Sequence, residues 1–405
     1  VGNTLLTTQA ITNELLMRFK NNLGFTGSLE HTWDDKFAVV GAKIGDTLRL
    51  RDAVRFTVTK NPDITASIQD VIETQKTLTL NIQGTVPFQF SSPELALSID
   101  AFGDRYLDSA AVALANAVDV DGLTMAYQST ANTVGTPGTP ISALDPFWAA
   151  GRVLDENSTP MDGKRYMCIP PSQQEGVLKA AQGLFQSSTQ VKQQYERGRM
   201  GTMGGFDWIM DQNCRTHVGG ALGGAPQVGA ASQTGATLAV TGFTASAAPR
   251  LKKGDTFTLP LVYAVNPVSG DSTGVLQKFT VTADVSSIAD GSASIPISPA
   301  IVVTGATKTV TNSPAAGAPL TMTYTTGQTS PQGIGFHRAA FVIGMAPLPV
   351  PLGEHYAANQ QDPDTGVSIR CVSQYDIKTD KFITRCDVLY GFAAQRPEWA
   401  VRIAS

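Results

Sequence analysis

Leu48, Leu50 and Val54 alternate with Arg49, Arg51 and Arg55, and Leu78, Leu80 and Ile82 alternate with Thr79 and Asn81. A period of two predicts two strands, GDTLRLRDAVRFTV and KTLTLNIQGTVPFQF, each with one apolar face. The intervening TKNPDITASIQDVIET is too long for a tight turn, so the pair predicts a ribbon with a long tip. A two-stranded ribbon has little core of its own and needs another surface to lie on, such as that of a neighbouring subunit.

Helical spacing appears in two places before residue 130. TNELLMRFKNNLG sets Leu15, Leu16 and Phe19 on one face, with Thr12 as the expected N-cap and Gly24 as the stop. It is short for an isolated helix, so it predicts an arm whose apolar face is covered elsewhere. The second pattern follows a start signal at Ser91, Pro93 and Glu94 and runs from Asp104 to Gln128. Tyr106, Ala110, Leu114, Ala117 and Val118 are its expected inner face, over roughly 35–40 Å of helix.

Residues 136–218 read as α/β. SALDPFWAAGRVLDENS is a helix, KRYMCIPP a buried strand, SQQEGVLKAAQGLFQ a helix capped by Ser172, and GGFDWIMDQN a strand and turn. Between Arg215 and Arg250 there is no Asp, Glu, Lys or Arg. RLKKGDTFTLPLVYAVN, GVLQKFTVTADVS, SASIPISPAIVV and APLTMTYTTG then follow as short strands, which predicts a small barrel or sandwich. Its first strand is expected at Leu238–Val240, with the uncharged run before it as a Gly/Ala connector. From Gly335 the earlier character returns, so the β-segment reads as an insertion.

Composition narrows the function. The chain has 405 residues, 16% charged, with a formal net charge of −4. That length suggests two or three globular units. Basic residues cluster only in close pairs such as Arg49/Arg51, Lys164/Arg165 and Lys252/Lys253, which argues against a sequence-reading nucleic-acid binder. The polar start VGNTLLTTQ is unlike a signal peptide, and AAFVIGMAPLPVPL contains three prolines, unlike a membrane span. A soluble protein used in a cytoplasm is therefore expected.

Candidate chemistry is sparse. GDSTG around Ser272 matches a nucleophile elbow in letters, but that motif needs a helix after the serine and VLQKFTVT alternates as a strand. Asp119–Gly122 and Asp362–Gly366 lack the downstream bidentate Glu of a calcium loop. GTMGG and GGALGG lack a phosphate loop's Lys-Ser/Thr, and Lys164 is followed by Arg165. His31, His217, His337 and His355 have no metal spacing. Cys371 and Cys386 flank an expected hairpin and read as two reduced thiols close across strands, while Cys168 and Cys214 show no motif. No catalytic, cofactor or metal residues are assigned.

Three stretches carry a resemblance: GGFDWIM before the insert, LKKGDTFTL with VNP and QKFTVTADV within it, and the closing RCDVLYGFAAQRPE. With the order of parts, the chain resembles the major capsid proteins of tailed double-stranded DNA bacteriophages, whose architecture is the α+β Hong Kong 97-type capsid fold. The subfamily resembled carries an inserted β-barrel and is typified by the coat protein of a short-tailed Salmonella phage. The resemblance implies an N-terminal arm (1–42), an E-loop ribbon with flanking strands (43–92), and the spine helix of a peripheral domain (93–135). An axial domain (136–220), the inserted barrel (221–334) and a return to both earlier domains (335–405) would follow. Thr47–Phe90 would lie on the next subunit as the extended E-loop.

The implied function is self-assembly into pentamers and hexamers of an icosahedral shell around packaged DNA, without sequence-specific binding, in a virion built in a host cytoplasm. The implied partners are other copies of the chain, a scaffolding protein, a portal and, where one exists, a decoration protein. No membrane is implied. The subunit-interface candidates are the charged residues of arm and ribbon: Arg18, Lys20, Arg49, Arg51, Arg55, Lys60, Asp63, Asp70 and Glu73. One departure stands out. Family members can carry a charged loop on the insert that links capsomers, whereas here the chain before Leu251 is nearly uncharged and NPVSGDSTG is short. The alternatives are a tail or fibre protein with a surface-binding β-domain, and a hydrolase using Ser272.

Overall fold

Alternation at Leu48–Leu50 and at Leu78–Leu80 yields real strands, but their partners differ from those of a free ribbon. The computed structural model describes residues 8–31, 47–51, 54–56, 68, 75–91, 108–181, 201–351, 353–354, 356–362 and 366–405. It is α+β and divides into two units. One comprises residues 1–50, 75–122 and 341–395; the other comprises 51–74, 123–340 and 396–405.

In the first unit, Thr47–Arg51 pairs with Gln75–Thr79 as a two-stranded sheet. Leu50 and Leu78 are buried with Val342 and Ala393. The chain then continues as Ile82–Ser91, which pairs antiparallel along nearly all of the long strand Lys381–Ala394, from Ile82 opposite Tyr390 to Ser91 opposite Lys381. Phe341–Ala346 and Ser368–Asp376 also pair with that strand, and Tyr356–Gln361 completes one side. The expectation that all of Thr47–Phe90 lies on the next subunit is therefore corrected. The ribbon's base and its returning strand bury apolar surface within their own chain.

The N-terminal helix spans Thr8–Asn22, so Thr12 is a buried interior position rather than the N-cap. Leu15, Leu16 and Phe19 are buried, and the helix packs on Tyr356–Gln361 and Ser368–Asp376. The partner its apolar face was expected to need elsewhere is thus found in strands of its own unit. The long helix spans Asp108–Ser129, about 33 Å at 1.5 Å per residue. Ala110, Leu114 and Val118 are buried as expected, but Ala117 faces solvent and Ala111 and Ala115 replace it inside. The expected start at Ser91–Glu94 and Tyr106 lies outside the described helix, Ser91 ending a strand. Gly122 allows close packing, since a Cβ there would stand 3.1 Å from the Phe392 ring and 3.3 Å from Phe25.

In the second unit, the main sheet runs in the order Thr133–Gly135, Ala400–Ala404, Thr329–His337, Arg165–Ile169, Phe206–Met210, Thr202–Met203. The helices Asp145–Glu156 and Pro171–Ala181 accompany it. Phe147, Ala150, Leu154 and Val177 from them pack with Met167, Ile169, Phe206, Val401 and Ile403. The second helix begins at Pro171, a residue whose fixed φ suits the first turn, so Ser172 is not its cap.

The uncharged run is not a connector. It contains the strands Gly224–Val228 and Gly235–Phe243, and the insert's sheet runs from them through Ala293–Ile301, Ser272–Val281 and Thr256–Val265 to Thr321–Met322. Val228, Leu238, Val240 and Phe243 point into its core with Phe257, Leu259, Phe279, Ile295 and Ile297. The outward positions are Ala, Thr and Gly, which is why the run lacks charge and its alternation is faint. The segment 317–320 bonds the first edge through Val228 N–H to Ala318 O (2.9 Å) and Leu320 N–H to Pro226 O (3.0 Å). Its continuation pairs Thr321 with Thr258 and Met322 with Phe257 at the other edge. One piece of chain thus covers both edges, which removes unpaired strand surface.

Candidate functional site

The residues singled out for chemistry do not converge. Ser272 opens the strand Ser272–Val281, and the loop before it is a hairpin built on Asn266, whose N–H donates to Asp271 O at 2.9 Å. No helix follows, so the elbow reading is set aside. Asp119 lies inside the long helix, buried, and accepts from Gly24 N–H (2.8 Å) and Thr26 N–H (2.9 Å). Asp121 accepts from the Tyr390 hydroxyl at 2.7 Å, and burial with that carboxylate pushes the Tyr390 phenol up. These are structural bonds rather than calcium ligands. Among the described residues no group of three or more His, Cys, Asp or Glu is placed to hold a metal.

His217 and Asp255 form a buried pair, Nε2 to Oδ1 at 2.8 Å. Asp255 also accepts from Gly220 N–H at 3.1 Å and Lys252 N–H at 2.8 Å, so its oxygens are committed to holding loops at the root of the insert. Arg250 serves the same end, donating to Ser287 Oγ, Leu222 O, Thr244 O and Ser246 Oγ. A hollow lined by Arg55, Ser129, Asn132, Gln277, Ser298 and Glu398 among others offers hydroxyls, amides and the Arg55–Glu398 ion pair.

What remains as a candidate site is the ribbon and its root. Arg55 Nη2 pairs with Glu398 Oε1 at 3.1 Å in the second unit. Arg18 pairs with Glu14 at 2.6 Å and Asp108 at 3.5 Å, and Lys20 with Asp362 at 2.6 Å, in the first. These three expected interface residues therefore already have partners in their own chain, half-exposed and worth little individually. Arg49 and Arg51 lie on the Thr47–Arg51 strand, with side chains outside the description. Lys60, Asp63, Asp70 and Glu73 also lie outside the described residues. Sequence reading looked for charge and missed the apolar members of the same segment: Phe56 is 59% and Ile68 77% exposed. Both are visible in the sequence, but only the structure shows that neither is covered by its own chain.

The ribbon's returning strand is fixed by an ion cluster. Asp387, fully buried, accepts from Arg370 Nη2 (2.5 Å), Arg385 Nε (2.6 Å) and Thr85 Oγ1 (2.7 Å). Burial alone would push its carboxyl up, but the bonds from Arg370, Arg385 and Thr85 outweigh it and hold it below the ordinary carboxylate range. A depressed carboxyl stabilises the fold above its unfolded pKa of about 3.9, and that contribution drains away as pH falls through the lower folded value. Urea midpoints measured from about pH 6 down to pH 3 should therefore drop more steeply below about pH 4 in the native chain than in Asp387→Asn. Parallel curves would remove the carboxylate from this role.

The sequence matches the family described as "P22 coat protein - gene protein 5" over residues 43–403. No curated protein matches it. Solved structures similar to it include one from Mycobacterium phage Che8, with 11% identity and a TM-score of 0.47, covering 94% of this chain and 90% of that one. The capsid of cyanophage P-SCSP1u has 10% identity and a TM-score of 0.45 over 90% and 84%. A virus-like particle from Pyrococcus furiosus has 10% identity and a TM-score of 0.41 over 98% of each chain. No described helix is long and apolar enough to cross a membrane.

Proposed function

This chain belongs to the P22 coat protein family, and we propose that its exposed ribbon segment is the part that joins one subunit to the next. It is a major capsid protein of the Hong Kong 97-type fold, a subunit of an icosahedral shell, and its place is the virion. The observation that carries this is the match itself, which runs through both units and the insert.

Beyond that, our reading assigns roles to parts. Closed shells are built from repeated interfaces related by symmetry, and our reading gives this chain a structural role in them. Residues 51–74, where Phe56 and Ile68 expose apolar area, would bury it against a neighbouring subunit. We assign the insert to the outer surface as a separate barrel domain, supported by its own core and covered edges; its expected end at residue 334 is corrected to before Thr329, because Thr329–His337 is a strand of the main sheet. Its hairpin at Asn266–Asp271 is too short for a long ionic arm, so the link between capsomers falls to the ribbon, the N-terminal arm or a separate protein. The net charge of −4 suits a container for DNA that arrives with its own counterions. Scaffolding, portal and decoration proteins are proposed as partners on family grounds.

Electron microscopy of the purified chain, alone and with a scaffolding protein from the same particle, tests the reading. Closed particles of uniform diameter are expected. Rods or discrete trimers would favour a tail or fibre protein instead.

A further inference from the structure

The first unit contains a sulfur pair that no role in assembly uses. Cys371 and Cys386 are directly opposite each other on Ser368–Asp376 and Lys381–Ala394. Their Sγ atoms are 2.8 Å apart, and the residues are 2% and 0% exposed. Directly opposed residues of an antiparallel ladder have Cα atoms about 4.5–5.5 Å apart, inside the window of about 4.4–6.8 Å that a disulfide requires. No strand has to move to join them. Among the described residues no third His, Cys, Asp or Glu makes the pair part of a metal site. The second pair, Cys168 and Cys214, is wider at 3.6 Å and does not sit on a ladder.

We propose that Cys371 and Cys386 are a disulfide-forming pair, closed by a low-molecular-weight disulfide such as glutathione disulfide. One cysteine thiolate attacks the small disulfide, forming a mixed disulfide and releasing one reduced thiol. The other thiolate attacks the protein-bound sulfur, forming the Cys371–Cys386 bond and expelling the second thiol. Two electrons pass from the protein to the oxidant, and the two protons lost by the cysteines are taken up by the departing thiolates. The hydrogen bond with Cys386 and burial both push the Cys371 thiol up, so little thiolate is present at neutral pH and closure in the native sheet is slow. The bond would staple the two strands against which the ribbon's return and the N-terminal helix pack. The inference concerns the folded chain and stands apart from the shell reading.

The full chain is incubated with glutathione disulfide, its remaining thiols are capped with N-ethylmaleimide in urea, and it is digested with trypsin. Cleavage after Arg370, Lys378, Arg385 and Arg402 separates the cysteines into peptides 371–378 and 386–402, because Pro397 blocks the cut at Arg396. The expected product is one linked species of both peptides, two hydrogens lighter than their sum and split by reduction. The oxidised chain should also melt about 5–10 °C above the reduced one, a difference absent from Cys371→Ala/Cys386→Val. Recovery of both peptides separately capped after prolonged oxidation overturns the proposal. So does an oxidised chain whose melting is unmoved by reduction.

Discussion

Subunits lacking residues 63–73 are expected to fold, remain soluble and form no shells. Phe56 before the segment and Ile68 within it are exposed, while the buried residues on either side, Leu50 and Leu78, lie at the ribbon's base. Shortening the connection between Arg51 and Gln75 changes loop-closure entropy by less than about 1 kcal/mol, so the deletion leaves the unit's stability nearly intact. If those residues supply contacts to the next subunit, assembly loses them at every symmetry-related interface at once. Sedimentation velocity and electron microscopy read the result beside a urea melt. Normal shells from a normally stable deletion would show that the ribbon tip is not the joining element.

The second large effect is expected at Asp119. Its two carboxylate oxygens satisfy the Gly24 and Thr26 amides, one each, and so fix the turn after the N-terminal helix to the long helix. Asp119→Ala leaves two amides without their acceptor in a site that is 2% exposed. At roughly 1–3 kcal/mol for each buried donor left unsatisfied, the unit loses about 2–6 kcal/mol. Asp119→Asn keeps one acceptor oxygen and should fall between. Because the chain has two units, a global transition does not single out this turn. Hydrogen-exchange protection of the Gly24 and Thr26 amides is the direct one. Unchanged protection in Asp119→Ala would mean that other bonds hold the turn.

Legibility in the sequence followed the strength of the local pattern. The helix over Asp145–Glu156, the strand Arg165–Ile169 and the insert's strands from Thr256 to Ile301 were readable because apolar side chains recur there at a clear period. Gly224–Val228 was unreadable: its one buried apolar side chain is Val228, and its pairing depends on Gly235–Phe243 and on residues 317–320. The N-terminal helix was visible as a helix but not as a core member, since its cover comes from strands more than 300 positions later. The interface candidates were chosen for charge. The structure pairs Arg18, Lys20 and Arg55 with carboxylates of the same chain and draws attention to Phe56 and Ile68 instead.

Periodicity was enough to read an α+β chain with an intervening β-segment, and the stretches GGFDWIM, QKFTVTADV and RCDVLYGFAAQRPE carried its resemblance to capsid proteins, because these are properties of neighbours along the chain. Which apolar side chains the chain itself leaves uncovered, Phe56 and Ile68 among them, is decided only in three dimensions. The strand Ile82–Ser91 has the same alternation whether it pairs with Lys381–Ala394 of its own chain or with a different one. Burial depends on what a residue meets after hundreds of intervening positions, and no local pattern carries that information.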